Sequence, residues 1–125
     1  MEVDKITYYM QQKDNRGSFQ GIINKGNWRE VNLALTHAGE IRGGHFHKKT
    51  TQIIFLTRGK AEVKLEDLKH LGKSKKFILQ QGEGIKIEPY VLHTLHYLED
   101  SEHIALLDRP LESSKPDIHT LQTKE

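Results

Sequence analysis

Two histidines one residue apart, His45 and His47, follow an arginine and two glycines in the stretch GEIRGGHFHKKTTQIIFLTRG, residues 39–59. Residues i and i+2 of a strand share a face, so on a strand both imidazoles project into one space. Such a pair can coordinate a metal ion or move a proton, because histidine titrates near neutrality. On an outward face it is only surface. Cysteine is absent, which excludes thiolate nucleophiles, disulfides and Cys-based zinc sites. Reactive chemistry must come from histidine, carboxylate, tyrosine, lysine or a metal site without thiolate.

The elements that must position these residues read as short strands. KAEVKLED at 60–67 places Ala61, Val63 and Leu65 on one face and Lys60, Glu62, Lys64 and Glu66 on the other, the pattern of a half-buried strand. TQIIFLT at 51–57 precedes it, with Arg58-Gly59 as a hairpin turn. REVNLALT at 29–36 alternates through Val31, Leu33 and Leu35. Further strands are expected at 77–79, 84–87, 92–98 and 103–107, with turns at 67–75, 81–84 and 99–102. Residues 6–10 and 18–23 add two more around the turn KDNRG. No stretch of about ten residues keeps a 3.6 period, so the fold class is all-β, a sandwich or barrel. The chain divides into a barrel with N-terminal strands over 1–109 and a polar tail over 110–125. That tail is expected to be extended and docked on the body or a partner subunit, or partly disordered.

Bulk properties narrow the function classes. A chain of 125 residues fits one domain. Lys and Arg number 19 against 17 Asp and Glu, with the signs interspersed, so nucleic acid is not an expected partner. Mean hydropathy is −0.67, and no apolar run approaches the roughly 20 residues of a membrane span. The N-terminus lacks the pattern of a secretion signal, so the expected compartment is the cytoplasm, without membrane association.

The glycine and histidine spacing carries a resemblance. Gly39, His45, His47, Gln52 and Gly59 fall at the intervals of the first motif of the cupin superfamily, with Gln52 at its acidic position. GEGIKIEPYVLH at 82–93 supplies Gly82, Pro89 and His93 for the second motif. The resemblance spans about residues 29–108 and implies a double-stranded β-helix, the cupin jelly-roll barrel, with a site in its mouth. A barrel can bring His93 alongside His45 and His47, with Gln52 turned inward from the next strand. Three imidazoles and an amide oxygen form a ligand set for zinc, iron, manganese or nickel. Whether a cofactor is used stays open.

A closer resemblance lies in KDNRGSFQGI upstream and IRGGHFHKKTTQ around the histidines. Together they resemble the RmlC-like sugar-nucleotide cupins: dTDP-4-dehydrorhamnose 3,5-epimerases, dTDP-4-oxo-6-deoxyglucose 3,4-ketoisomerases and capsular polysaccharide cupin domains. His45, His47, Lys48 and Gln52 are most similar to the ketoisomerases. The resemblance implies action on a dTDP- or UDP-linked 4-keto sugar, usually without an essential metal. A C–H beside a ketone needs a base, and the enolate oxygen needs a donor. His45 or His47 is the candidate base, and Arg42 the group for sugar or phosphate. Tyr90, Tyr97 and His93 are candidates for the returning proton, and Lys48 and Gln52 for substrate contact.

The chain also departs from these families. Asn32 and His37 stand on the strand where the ketoisomerases carry tyrosine. The 3,5-epimerases have a longer C-terminal part that supplies a tyrosine and a histidine-orienting aspartate, for which Asp108 is the candidate here. Two other functions therefore remain open. One is a metal-dependent cupin with oxygenase, lyase or isomerase activity at His45, His47, Gln52 and His93. The other is a cupin that binds a metabolite without turnover. His70, His103 and His119 read as solvated, His96 as facing away from His93, and Tyr8 and Tyr9 as core or interface. A homodimer is expected, since such barrels have strand edges to cover.

Overall fold

The computed structural model of the chain describes residues 1–111 and 114–121. Its elements in order are β1 (Asp4–Thr7), β2 (Met10–Asp14), β3 (Gly17–Gly21), β4 (Glu30–Thr36), β5 (Ile41–His45), β6 (Gln52–Arg58), β7 (Lys60–Asp67), β8 (Ser74–Gln80), β9 (Glu83–Ile87), β10 (Val91–Tyr97) and β11 (Ser101–Leu107). The described residues contain no helix, so none is long and apolar enough to cross a membrane. One sheet has the order β1-β9-β6-β11-β4 and the other β5-β10-β7-β8; β2 and β3 form a separate hairpin. All pairings are antiparallel. The two sheets make the all-β double-stranded β-helix that the glycine and histidine spacing implied.

Alternation places the core between the sheets. Ala61, Val63 and Leu65 of β7 are buried and meet Leu56, Ile85 and Leu95 from neighbouring strands. β6 is different: Ile53, Ile54, Phe55 and Leu56 are all buried, so both faces are covered. Tyr8 covers the outer face, with its ring 5.4 Å from that of Phe55. This contact accounts for a departure from the sequence reading. The strand expected over 6–10 is broken into β1 and β2 at Tyr8-Tyr9, where Tyr8 turns onto the sheet and the Tyr9 amide bonds the Gly21 carbonyl at 3.0 Å. His103, expected to be solvated, is buried. It pairs with Leu56 across β6, and its Nδ1 meets the Tyr97 hydroxyl at 2.8 Å.

The element that positions His45 is the end of β5. Its register against β10 shifts between His93 and Thr94, so His45 faces His93 while Gly43 faces Thr94. The extra residue is a β-bulge, which bends the strand and re-aims the residues beyond it. Gly43 and Gly44 build it with φ of 90° and 71°. A Cβ on Gly43 would stand 2.5 Å from the His93 carbonyl oxygen, whereas one on Gly44 would meet nothing within 4 Å. The two glycines therefore separate backbone freedom from close approach. Gly44→Ala is expected to cost about 1 kcal/mol, the left-handed penalty alone. Gly43→Ala should cost ~3 kcal/mol or more, because overpacking adds to that penalty. Urea unfolding of both variants checks the difference, and equal losses would contradict it.

Candidate active site

The bulge delivers His45, and the chain beyond it delivers His47, to the space that His93 enters from β10. Ring centroids of His45 lie 4.6 Å from His93 and 5.3 Å from His47, and those of His47 and His93 are 5.3 Å apart. Each ring offers a nitrogen, and these three nitrogens lie within 4.8 Å of one another. The intervening Phe46 side chain is buried against Tyr90 and His119, with centroids at 5.8 and 5.6 Å. The period of two expected from the sequence thus survives, although the regular strand stops at His45.

The three imidazoles are not equivalent. His47 is 2% exposed and held at both nitrogens: Nδ1 lies 2.6 Å from the Asp117 carbonyl oxygen and Nε2 lies 2.9 Å from Gln52 Oε1. The main-chain carbonyl can only accept, so Nδ1 carries a proton and donates it, while Nε2 faces the Gln52 side-chain amide. His93 is 1% exposed and donates Nδ1–H to the Val91 carbonyl at 3.1 Å, which leaves Nε2 as a lone pair. That nitrogen is buried without a partner, an uncommon state for a polar atom. His45 is only half-buried and is the ring a small molecule could reach.

Burial favours the neutral form of His93 and His45. Burial pushes the His93 pKa down to about 3, with the His45 and His47 charges acting the same way and the Val91 carbonyl opposing. Burial also lowers His45, followed by its proximity to His47, while the Gly43 backbone opposes. A neutral imidazole at physiological pH is a proton acceptor or a metal ligand, and this one can be either.

Asp117 is the residue that sequence reasoning missed. It lies in the tail, and its carboxylate closes the loop after β5. Oδ1 accepts from the Lys48 amide at 2.9 Å and from His119 Nε2 at 2.9 Å. Oδ2 accepts from the Lys49 amide at 2.8 Å, the Thr50 amide at 2.9 Å and the Thr50 hydroxyl at 2.8 Å. Partial burial raises its pKa, but these bonds outweigh that and hold the carboxyl well below the usual carboxylate range. Phe46 and His119 pair as an isolated bridge beside it. An acidic residue in a polar tail has no local pattern to announce this role; the partner loop is 67 to 69 positions away. The tail is docked on the barrel over its described residues, and 112–113 and 122–125 lie outside them.

Other candidates sit elsewhere. Tyr90 is not with the imidazoles: its ring lies against Phe46 with the Lys69 ammonium 5.0 Å above it. Tyr90 holds φ at 65°, with its amide bonded to the His47 carbonyl at 2.7 Å. It therefore braces the loop from behind. Tyr97 is fully buried in the core, and burial pushes its hydroxyl up to about 12 against the opposing charge of Arg42. Its partner His103 is pushed down to about 4, by burial first and Arg42 second. Arg42 donates Nε–H to the Thr36 hydroxyl at 2.6 Å and Nη2–H to the Leu35 carbonyl at 3.2 Å, so it is tied to β4. Lys48 is exposed on the outer side of its loop. Asp108 does not orient a histidine; its Oδ1 caps the Thr51 amide at 2.9 Å. Asp14 and Arg16 close their own turn through an ion pair of 2.7 Å.

Comparison with known proteins adds family and fold. A family model described as "Polysaccharide biosynthesis C-terminal domain" matches residues 12–117. Among curated proteins, none matches the chain in sequence. Solved structures do match. The dTDP-4-dehydrorhamnose 3,5-epimerase from Sulfolobus tokodaii is 25% identical, with a TM-score of 0.73 over 83% of this chain and 69% of that one. A 3,4-ketoisomerase from Helicobacter canadensis is 19% identical, with a TM-score of 0.78 over 94% and 90%. The 3,4-ketoisomerase QdtA from Thermoanaerobacterium thermosaccharolyticum, solved with TDP-4-keto-6-deoxyglucose, is 20% identical, with a TM-score of 0.77 over 93% and 85%.

The buried imidazoles make stability depend on pH with a definite sign. Folded, His93 stays neutral to about pH 3 and His103 to about pH 4, against 6.5 for an ordinary histidine. On acidification the unfolded chain takes up more protons, so stability is full above pH 6.5 and falls toward pH 4 and 3. Each tenfold difference in proton affinity is worth roughly 1.4 kcal/mol. Melting temperatures across pH 8 to 4 are expected to fall below 6.5, and a flat profile between pH 7 and 5 would contradict the buried neutral state.

Proposed function

The chain belongs to the polysaccharide biosynthesis C-terminal domain family, and on that footing we propose that it is an isomerase or epimerase of a nucleotide-linked 4-keto sugar. It works by abstracting the proton next to the ketone. The observation that carries this reading is His45: a half-buried imidazole, kept neutral by burial, beside two buried imidazoles whose orientations are set by Asp117 and Val91. The solved structures that support the substrate class carry TDP or TDP-4-keto-6-deoxyglucose. The substrate is then a dTDP- or UDP-linked sugar, and the compartment the cytoplasm.

In this mechanism the His45 nitrogen takes the proton from the carbon beside the ketone. The C–H electron pair becomes the C=C bond of an enediolate as the carbonyl electrons move to oxygen. Returning the proton to the former carbonyl carbon, while the hydroxyl proton passes between the two oxygens, moves the ketone by one position. One base can serve both steps on one face of the sugar. Inversion would need a donor on the other face, and Tyr90 and Tyr97 stand outside the cluster. The arrangement therefore favours isomerisation. His47 and Gln52 form the polar wall beside the base, the buried His93 ring backs His45 in edge-to-face contact, and the exposed part of the Arg42 guanidinium meets the phosphate end.

A second reading rests on the three nitrogens within 4.8 Å. His45, His47 and His93, with Gln52 behind His47, would hold zinc, iron, manganese or nickel, and the unpartnered His93 Nε2 fits a ligand role. Such an ion supplies Lewis-acid polarisation of a carbonyl oxygen.

A second copy of the chain belongs to the same proposal. The outer face of the five-stranded sheet is apolar beyond the part that Tyr8 covers. Val31, Leu33 and Leu35 of edge strand β4 are 64–67% exposed in one row, and Phe19 of the separate hairpin is 64% exposed. Exposed rows of this kind mark interfaces. Light scattering is expected to give a dimer, and Leu33→Glu should shift it toward monomer; a monomeric wild type would contradict this.

The activity test is solvent deuterium exchange into TDP-4-keto-6-deoxyglucose. Wild type is expected to exchange, and His45→Asn to lose ~100-fold or more of the rate while still binding TDP. Undiminished exchange in His45→Asn would remove His45 as the base. Stoichiometric metal in tag-free protein, with exchange lost to chelators, would move the conclusion to the metal reading. Sugar binding with no exchange in wild type would make the protein a binder without turnover.

A further inference from the structure

On the far side of the loop that carries His47 lies a concavity of about 440 Å³, lined by five basic side chains together with Thr50, two prolines, Asp117 and His119. Arg29 comes from the segment before β4, Lys48 and Lys49 from the loop after β5, Arg109 from the end of β11, and Lys115 from the tail. We propose that this pocket is an anion site outside the barrel that binds a diphosphate or phosphate-ester group.

Three observations carry the proposal. First, the five cations come from four separate segments, so no single run of basic sequence explains them. The fold gathers them: the Arg29 amide bonds the Leu107 carbonyl at 2.8 Å, the Asp108 amide bonds the Thr51 carbonyl at 3.2 Å, and Asp117 anchors the tail to Lys48, Lys49 and Thr50. Second, Asp117, the acid in the described lining, offsets one charge of the five and leaves the site net positive. Both its oxygens are occupied by backbone amides, the Thr50 hydroxyl and His119, and it pairs with none of the five side-chain cations. Third, among the described residues none of Arg29, Lys48, Lys49, Arg109 and Lys115 forms an ion pair, while lysines elsewhere meet glutamates, as Lys60 meets Glu99 at 3.8 Å and Lys86 meets Glu88 at 3.5 Å. Like charges held in a concave, rigid site focus a positive potential that a dense anion relieves. Two arginine forks and three lysine ammoniums suit phosphoryl oxygens, which accept in several directions at once.

The pocket does not depend on the isomerase reading, and the two can fail separately. It shares only a wall with the histidine cluster, through Asp117, whose carbonyl faces His47 and whose carboxylate faces the pocket loop. The same chemistry could come from the nucleotide end of a sugar nucleotide or from a separate phosphate ester.

Calorimetric titration with inorganic pyrophosphate tests it, on wild type, Lys49→Glu/Lys115→Glu and His45→Asn. Both lysines are exposed, so the charge reversal should leave the melting temperature unchanged. One saturable site is expected in wild type and in His45→Asn, weakened ~10-fold or more by the charge reversal and by added salt. Repeating the titration with dTDP present distinguishes the sources. Competition assigns the pocket to the nucleotide end, and simultaneous binding assigns it to a second phosphate ester. Absence of binding at millimolar pyrophosphate, equal binding after charge reversal, or loss only in His45→Asn would overturn the proposal.

Discussion

The close approach of Gly43 to the His93 carbonyl is the constraint on which the site depends. Two strands of opposite direction, β5 and β10, must carry histidines that meet at one point. A regular ladder would carry the residue after His45 along the strand in register. The bulge inserts one residue, and the absence of a side chain at Gly43 lets the backbones touch where it does so. His45 is then turned against His93 in edge-to-face contact, 4.6 Å between centroids. A side chain at Gly43 would set the register and the ring contact against each other.

The result is a polar cluster inside an apolar barrel, and its cost is limited by holding His93 and His45 neutral. Each buried imidazole uses one nitrogen to donate to a main-chain carbonyl, Val91 for His93 and Asp117 for His47. For His93 that choice fixes the tautomer and leaves Nε2 as an unpartnered lone pair. Charging His45 or His93 would place a cation beside two other rings with little water, which is why burial dominates their depressed values. The barrel thus holds a half-buried imidazole, His45, whose neutral form is favoured by burial rather than by a carboxylate partner.

The tail determines more than its composition suggests. Asp117 accepts four hydrogen bonds from consecutive loop residues, through the Lys48 and Lys49 amides and both polar groups of Thr50. A carboxylate accepting several backbone donors is a strong local anchor. One face of the anchored loop presents His47 to the barrel interior, and the other presents Lys48 and Lys49 to the basic concavity. Phe46, between Tyr90 and His119, holds the loop against the body.

Local pattern was enough for much of this protein. Alternation in residues 60–67, the Arg58-Gly59 turn and the glycine-spaced HxH with a distant third histidine state an all-β barrel with His45, His47 and His93 around one space, because strand periodicity and turn chemistry act within a few residues. Gln52 beside His47 is legible for the same reason. The choices made by tertiary structure alone involve partners far apart in the chain. Tyr90 and Tyr97 are separated from the histidines by packing against Phe46 and His103. Arg42 is drawn to Thr36 and Leu35. His103, in a segment that reads as solvated, is turned inward by its pairing with β6. Asp117 joins the site across 67 to 70 positions. Such contacts depend on how the sheets close and where the tail crosses them, and no periodicity in the intervening residues encodes that path.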